Sequence, residues 1–157
     1  MYIDSLLQIA SAQALTATAV GTNVIDLSVA RSIGSGEPMA MVFSVGVAAD
    51  QTTGDEDYTF DVEFATDAAQ TTGRQIVGKR IFEAGTPGAP AQNADLLVAG
   101  FVFAIPIPPV TADETARYLG MRATLAGTTP TITIDCWVAP LKDVAIYTSY
   151  ADNVTIG

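Results

Sequence analysis

The dominant signal along the chain is alternation of apolar and polar residues. Tyr58, Phe60, Val62 and Phe64 alternate with Thr59, Asp61 and Glu63. Met41, Phe43, Val45 and Val47 share one parity, with Ser44 and Gly46 on the other. Leu119, Met121, Ala123 and Leu125 are interleaved with Gly120, Arg122 and Thr124. Ile132, Ile134, Cys136 and Val138 are interleaved with Thr131, Thr133, Asp135 and Trp137. Ile25, Leu27 and Val29 face Asp26 and Ser28 in a shorter version of the same pattern. A period of two is the mark of strands with one face in a core and one toward water. Residues 75–82 carry a weaker alternation that includes Lys79 and Arg80. Residues 97–105 are apolar on both parities, which predicts a strand covered on both faces. Residues 144–147 are expected to add an edge strand.

Turn-rich segments separate these runs: Gly34-Ser35-Gly36-Glu37-Pro38, then 51–57, 67–73, 85–93, 106–115 and 127–130. Gly, Pro, Asp and Asn punctuate them as turns require. The last reads as a hairpin loop joining 117–125 to 131–139. No strand–helix–strand unit of about 30 residues is visible, which argues against a parallel sheet. Seven or eight short strands joined in this way predict an all-β antiparallel sandwich or jelly roll. Residues 1–20 are rich in Ala, Ser and Thr with scattered apolar groups, and are read as an extended N-terminal arm in preference to a helix over 4–14. The expected organisation is an arm over 1–20, one β domain over 21–142 and a tail over 143–157.

Composition narrows what such a domain can do. The chain has 157 residues, 49% of them hydrophobic and 15% charged, enough for one sizeable core. Seven Lys and Arg stand against 17 Asp and Glu, for a net charge of −10. With so few cations, neither nucleic-acid phosphates nor an anionic membrane surface is an expected partner. Histidine is absent and cysteine occurs once, at Cys136. That excludes His-based nucleophile systems, the usual Cys/His zinc sites and an intrachain disulfide. The start Met1-Tyr2-Ile3-Asp4 lacks the positive region of a signal peptide, and the apolar run 96–105 is too short to span a bilayer.

The remaining chemistry is sparse. Asp50, Asp55, Glu56 and Asp57 could supply oxygens to calcium, but the spacing is not that of an EF-hand loop, the distal Glu is missing, and solvated turn charge is the expected role. Asp61 and Glu63 could in principle act as paired carboxylates on a sugar, yet they fall on the polar parity of a strand, where solvent-facing charge belongs. No cofactor, metal or catalytic residue is expected. Trp137 lies on the polar parity of its strand and is a candidate anchor for a partner unless a second layer covers it. Tyr2, Ile3, Leu6 and Leu7 in the arm, and Tyr147 and Tyr150 in the tail, are apolar groups without a periodic face of their own. They join Trp137 as candidate partner-interface residues.

The opening of the chain carries a further signal. Met1 to Asp4, Ala12 to Ala14, the Thr-rich 16–22, Ile25-Asp26-Leu27 and the Gly34-to-Pro38 turn before a hydrophobic strand occur in one order. This set resembles the small jelly-roll capsid cement (decoration) proteins of tailed bacteriophages, most closely over residues 1–50. The resemblance implies a single jelly roll of about eight strands with an extended arm and no enzyme activity. It implies a homo-oligomer, dimer or trimer, on the exterior of a phage head, bound to the major capsid protein and stabilising its lattice. The alternative is a carbohydrate-binding β-sandwich with Trp137 and Tyr118 as its exposed aromatics.

Overall fold

A computed structural model describes residues 5–28, 36–83, 94–109 and 116–144. Among them are nine strands: β1 (Gln8–Leu15), β2 (Ala19–Val20), β3 (Ile25–Asp26), β4 (Met39–Val47), β5 (Asp57–Ala65), β6 (Gln75–Glu83), β7 (Val102–Ile107), β8 (Tyr118–Ala126) and β9 (Ile132–Pro140). A four-residue helix, α1 (Leu141–Val144), follows β9. The first sheet has the order β1-β9-β4-β7 and the second β2-β8-β5-β6, with β3 also on β8. Every pairing is antiparallel. Taking β2 and β3 as one interrupted strand, the chain shuttles between layers to give four strands on four. That order is the double Greek key of a jelly roll.

The alternating runs became strands because their apolar parity meets the facing layer. Phe43, Phe60, Phe82, Phe101 and Phe103 form an aromatic centre between the sheets, with Phe103 stacked on Phe43 at 4.9 Å and edge-on to Phe82 at 5.0 Å. Each such ring pair adds about 0.5–1.5 kcal/mol beyond area burial. Tyr58 is buried at one end of the core, and its hydroxyl donates to the carbonyl oxygens of Asp50 and Thr131 at 2.6 and 3.2 Å. Pro106 is accommodated in β7 because that strand is an edge of its sheet.

Four expectations need correction. Residues 8–15 are extended, as expected in preference to a helix, but they form a strand of the domain and not a separate arm: β1 pairs with β9 and places Ile9, Ala10 and Leu15 in the core. Two register shifts along β1 hide its alternation, and Ala12, at φ 43°, sends its N–H to the Asp135 carboxylate at 2.8 Å. The boundary at residue 20 therefore falls inside the domain. The segment 127–130 is no hairpin loop either, since β8 and β9 lie in opposite sheets. It arches across the end of the sandwich, with Thr128 N–H and hydroxyl donating to Asp55 at 3.1 and 2.9 Å. The strand expected over 97–105 begins at Val102, preceded by one 3-10 turn at Ala94–Leu96. Val144 closes α1 instead of opening an edge strand, and 145–147 lie outside the described residues.

Candidate functional site

The interface candidates fall into three groups. Tyr2, Ile3, Tyr147 and Tyr150 lie outside the described residues. Leu6 and Leu7 sit in a single 3-10 turn, Ser5–Leu7, that leads into β1. Leu6 is 80% exposed, whereas Leu7 leans against the core. Trp137 differs from expectation: it is only 7% exposed. Its ring lies on the outer face of the first sheet in a second apolar cluster with Ala40, Val42, Ala139 and Val144, flanked by Val102 and Ala104. The polar parity of β9 is thus itself covered, and Trp137 offers no open face for a partner or a sugar. Tyr118 is half-buried, with the Arg117 guanidinium 5.2 Å from its ring centre.

The acidic loop before β5 uses its own oxygens. Asp50 accepts from the Thr52 hydroxyl and N–H, and these bonds hold its carboxyl below the usual range. Asp55 accepts from Thr53 and Thr128 and is lowered likewise. Burial pushes the Glu56 carboxyl up, but the Thr53 hydroxyl and the N–H groups of Thr53, Gly54 and Asp55 outweigh it and lower it overall. This is the wiring of a folded turn. Among the described residues no group of three or more His, Cys, Asp or Glu is arranged to hold a metal ion.

The outer face of the second sheet holds what the alternation pattern misses. Asp61 and Glu63 project from β5 on the polar parity, yet both are buried. Glu63, at 0% exposure, accepts from Arg74 Nε and Nη2 at 3.0 and 2.7 Å and lies 3.2 Å from Arg122 Nη2. Arg122 Nη2 also donates to the Gln70 carbonyl at 2.6 Å. The β5–β6 connection, residues 66–74, folds over this face. Gln70 packs on Gly120 so closely that a Cβ there would meet the Gln70 amide at 2.3 Å. Asp67 pins the same loop by accepting from the N–H groups of Thr72 and Thr71, and its carboxyl is lowered to about 2, chiefly by the Thr72 bond. Asp61 is raised by burial, with Lys79 Nζ at 3.6 Å opposing the shift. A loop that closes over a strand is not encoded in that strand's own parity, so these acids read as solvent-facing. The cation at Arg74, just before β6, is the sequence feature that could have signalled a partner.

Beyond that loop the face opens. β6 is the outermost strand of the sheet, and Lys79, Arg80 and Ile81 are consecutively exposed. Three rows cross the sheet here: Arg122, Asp61, Lys79; then Thr124, Thr59, Ile81; then Ala126, Asp57, Glu83. Arg80, on the inward parity, lies over the Phe82 ring at 5.1 Å. A separate apolar group, Val47, Leu96 and Val98, is exposed at the end of β4 and in the segment before β7.

The described residues thus combine a two-layer core and engaged acids with exposed apolar side chains at Leu6, Ile76, Ile81, Val47 and Val98. No curated protein matches the chain. A family model, Bbp16, matches residues 9–136, from β1 into β9 and across both sheets. That span is most of the chain, and the protein therefore belongs to the Bbp16 family.

Proposed function

We propose that the protein is a structural capsid cement protein, which binds the outer face of a phage head as a homo-oligomer and stabilises the lattice of the major capsid protein without catalysis. The observation that carries the reading is the ordered set of opening motifs, set on a jelly roll. Ala12 to Ala14 fall on β1, Ile25-Asp26 form β3, and Gly36-Glu37-Pro38 lead directly into β4. Two features support it. Asp50, Asp55 and Glu56 before β5, and Asp61 and Glu63 on its outer face, are engaged by hydrogen bonds or ion pairs. Leu6 presents an apolar side chain at the edge of the sandwich, a position suited to burial against a neighbour. A shell contact repeated over linked copies can be firm though each patch is small.

The test is co-sedimentation of the purified protein with phage heads that lack it. The wild type should saturate the heads, and Leu6→Ser should lower occupancy at equal protein concentration. Binding that is absent, or that fails to saturate, refutes the reading.

A further inference from the structure

We infer that the protein meets its shell through the end of the sandwich that carries Val47, Leu96 and Val98, and that the surface received there is an apolar recess of the shell protein ringed by Lys and Arg. The inference rests on the cement reading above and assigns it a face and a partner chemistry. Val47 is 61% exposed, Val98 53% and Leu96 43%. Gly46, Ala48, Ala99 and Gly100 are exposed beside them, and neither 46–48 nor 96–100 carries a charged residue. The two stretches are neighbours. Val45 N–H donates to the Phe101 carbonyl at 2.9 Å, Gly100 N–H to the Val45 carbonyl at 2.8 Å, and Ala49 N–H to the Leu97 carbonyl at 2.9 Å. Those bonds bracket Val47 and Val98. Leu97 is fully buried between the two exposed side chains of its segment, and Gln51 Nε2 donates to the Ala94 carbonyl at 2.5 Å. The patch is thus fixed before a partner arrives, which keeps the ordering cost of binding low. An exposed apolar patch with a polar border marks a protein contact.

Charge identifies the occupant. The segments that build this end, 46–57, 94–101 and 127–135, contain Asp50, Asp55, Glu56, Asp57, Asp95 and Asp135 and neither Lys nor Arg. Asp50 follows Ala49 directly, and Asp135 Oδ2 lies 3.9 Å from where a Cβ on Gly46 would stand. Carboxylates therefore border the patch both on the continuation of β4 and on β9. Asp50 and Asp55 accept hydrogen bonds from Thr52, Thr53 and Thr128, which favour their ionised forms. Among the described residues neither has a cation as partner. Ion pairs lie elsewhere, where Arg74 and Arg122 meet Glu63, Arg117 meets Asp26 and Lys142 meets Glu37. This end thus presents negative charge that the chain itself does not neutralise. A second copy is the wrong occupant, because two such ends set carboxylate against carboxylate. Nucleic acid and an anionic membrane are repelled for the same reason. The complement of an apolar patch with an acidic border is an apolar recess with a basic one.

The test is co-sedimentation of the full chain with phage heads that lack it, with charge placed in the patch. Val47→Lys and Val47→Glu lose the same apolar contact, but only the Lys adds repulsion from a basic border. Val47→Lys should lower the affinity for heads about tenfold or more and bind more weakly than Val47→Glu, and Val98→Lys should repeat the loss. Both positions are exposed, so thermal melts should match the wild type. Ile76→Lys is the control: Ile76 is 49% exposed but pairs with Glu63, towards the opposite end of the sandwich, and its variant should bind as the wild type does. Three outcomes would each overturn this inference and leave the cement reading standing. They are Val47→Lys and Val98→Lys saturating the heads like the wild type, Val47→Glu binding no better than Val47→Lys, and Ile76→Lys losing as much as Val47→Lys. A wild type that does not bind heads at all sinks the cement reading, and this face with it.

Discussion

Replacing Glu63 by Gln removes one charge and almost no volume from a fully buried acid. Glu63 has no solvent exposure and is held by Arg74 and Arg122, whose side chains are 34% and 19% exposed. Removing one partner of a buried ion pair typically costs about 3–5 kcal/mol, because the other charge stays in a poor solvent. Arg74 can turn outward to water, so its share is small. Arg122 is bound to the Gln70 carbonyl and cannot leave without lifting the 66–74 loop. The lower end of the range, about 3 kcal/mol, is therefore expected. For a domain of this size that lowers the melting temperature by roughly 6–12 °C. The assay is urea unfolding at fixed protein concentration, followed by circular dichroism and by the fluorescence of Trp137, the single tryptophan. Trp137 lies on the other sheet, so coincident transitions would show that the whole sandwich responds. The pair Glu63→Leu with Arg122→Leu should cost less than Glu63→Leu alone, since the double change leaves only the more exposed Arg74. A loss below about 1 kcal/mol for Glu63→Gln, the range of an exposed pair, would refute the buried-network account. Coupling of zero between Glu63 and Arg122 would do the same.

Two further outcomes follow from the end of the sandwich where the 48–56 and 127–131 segments meet. Burial, its largest cause, pushes the Tyr58 hydroxyl up to about 12, above its unfolded value near 10. Its neutral form is thus favoured by folding, stability is whole below pH 10, and it falls as pH rises from 10 towards 12. Tyr58→Phe should lose about 1 kcal/mol at neutral pH through the lost bonds to Asp50 and Thr131, and should flatten this alkaline decline in thermal melts; a decline of unchanged steepness would exclude Tyr58 as its source. Gly127 has φ +95° and its missing Cβ would stand 2.3 Å from the Asp55 carbonyl oxygen, so Gly127→Ala should destabilise by more than about 1 kcal/mol. A Gly127→Ala protein that melts with the wild type would mean the arch over the sandwich end is not held as described.

Much of the sandwich could be read from the chain because β5 and β8 keep a period of two throughout and β4 and β9 keep it over part of their length. β1 escaped notice for the opposite reason. Its bulges at 8–10 and 10–13 shift Ile9, Ala10 and Leu15 out of step, so a paired strand reads as an arm. Strand existence is local, whereas strand partnership is not: nothing in 127–130 says that the chain crosses to the other layer there. The same limit explains Trp137 and Glu63. Parity along β9 puts Trp137 with the polar residues, but Val42 and Ala40 on β4 and Val144 on α1 make that face apolar too. Parity along β5 likewise cannot announce that 66–74 will fold back over Glu63. Of the interface candidates, Leu6 keeps an open side chain, Leu7 and Trp137 turn inward, and the β6 rows emerge only once β5, β6 and β8 are laid side by side.

The interleaved strand order has a bearing on how the chain comes into being. β9 is inserted between β1 and β4, and β8 between β2 and β5. A ribosome that has delivered the first hundred residues has therefore made β1 and β4 of one layer and β2, β3, β5 and β6 of the other, without the strand that joins the two parts of either layer. β1 has then been waiting for its partner β9 since the outset, and β4 and β5 each bare a hydrophobic flank to the crowded interior of the cell. At about 5–20 residues per second this vulnerable interval lasts seconds, and the closing steps join segments far apart in sequence, which makes them slow. The last two strands act as bolts shot home after translation, and any nonsense codon ahead of Ile132 leaves an aggregation-prone fragment rather than a shorter working protein.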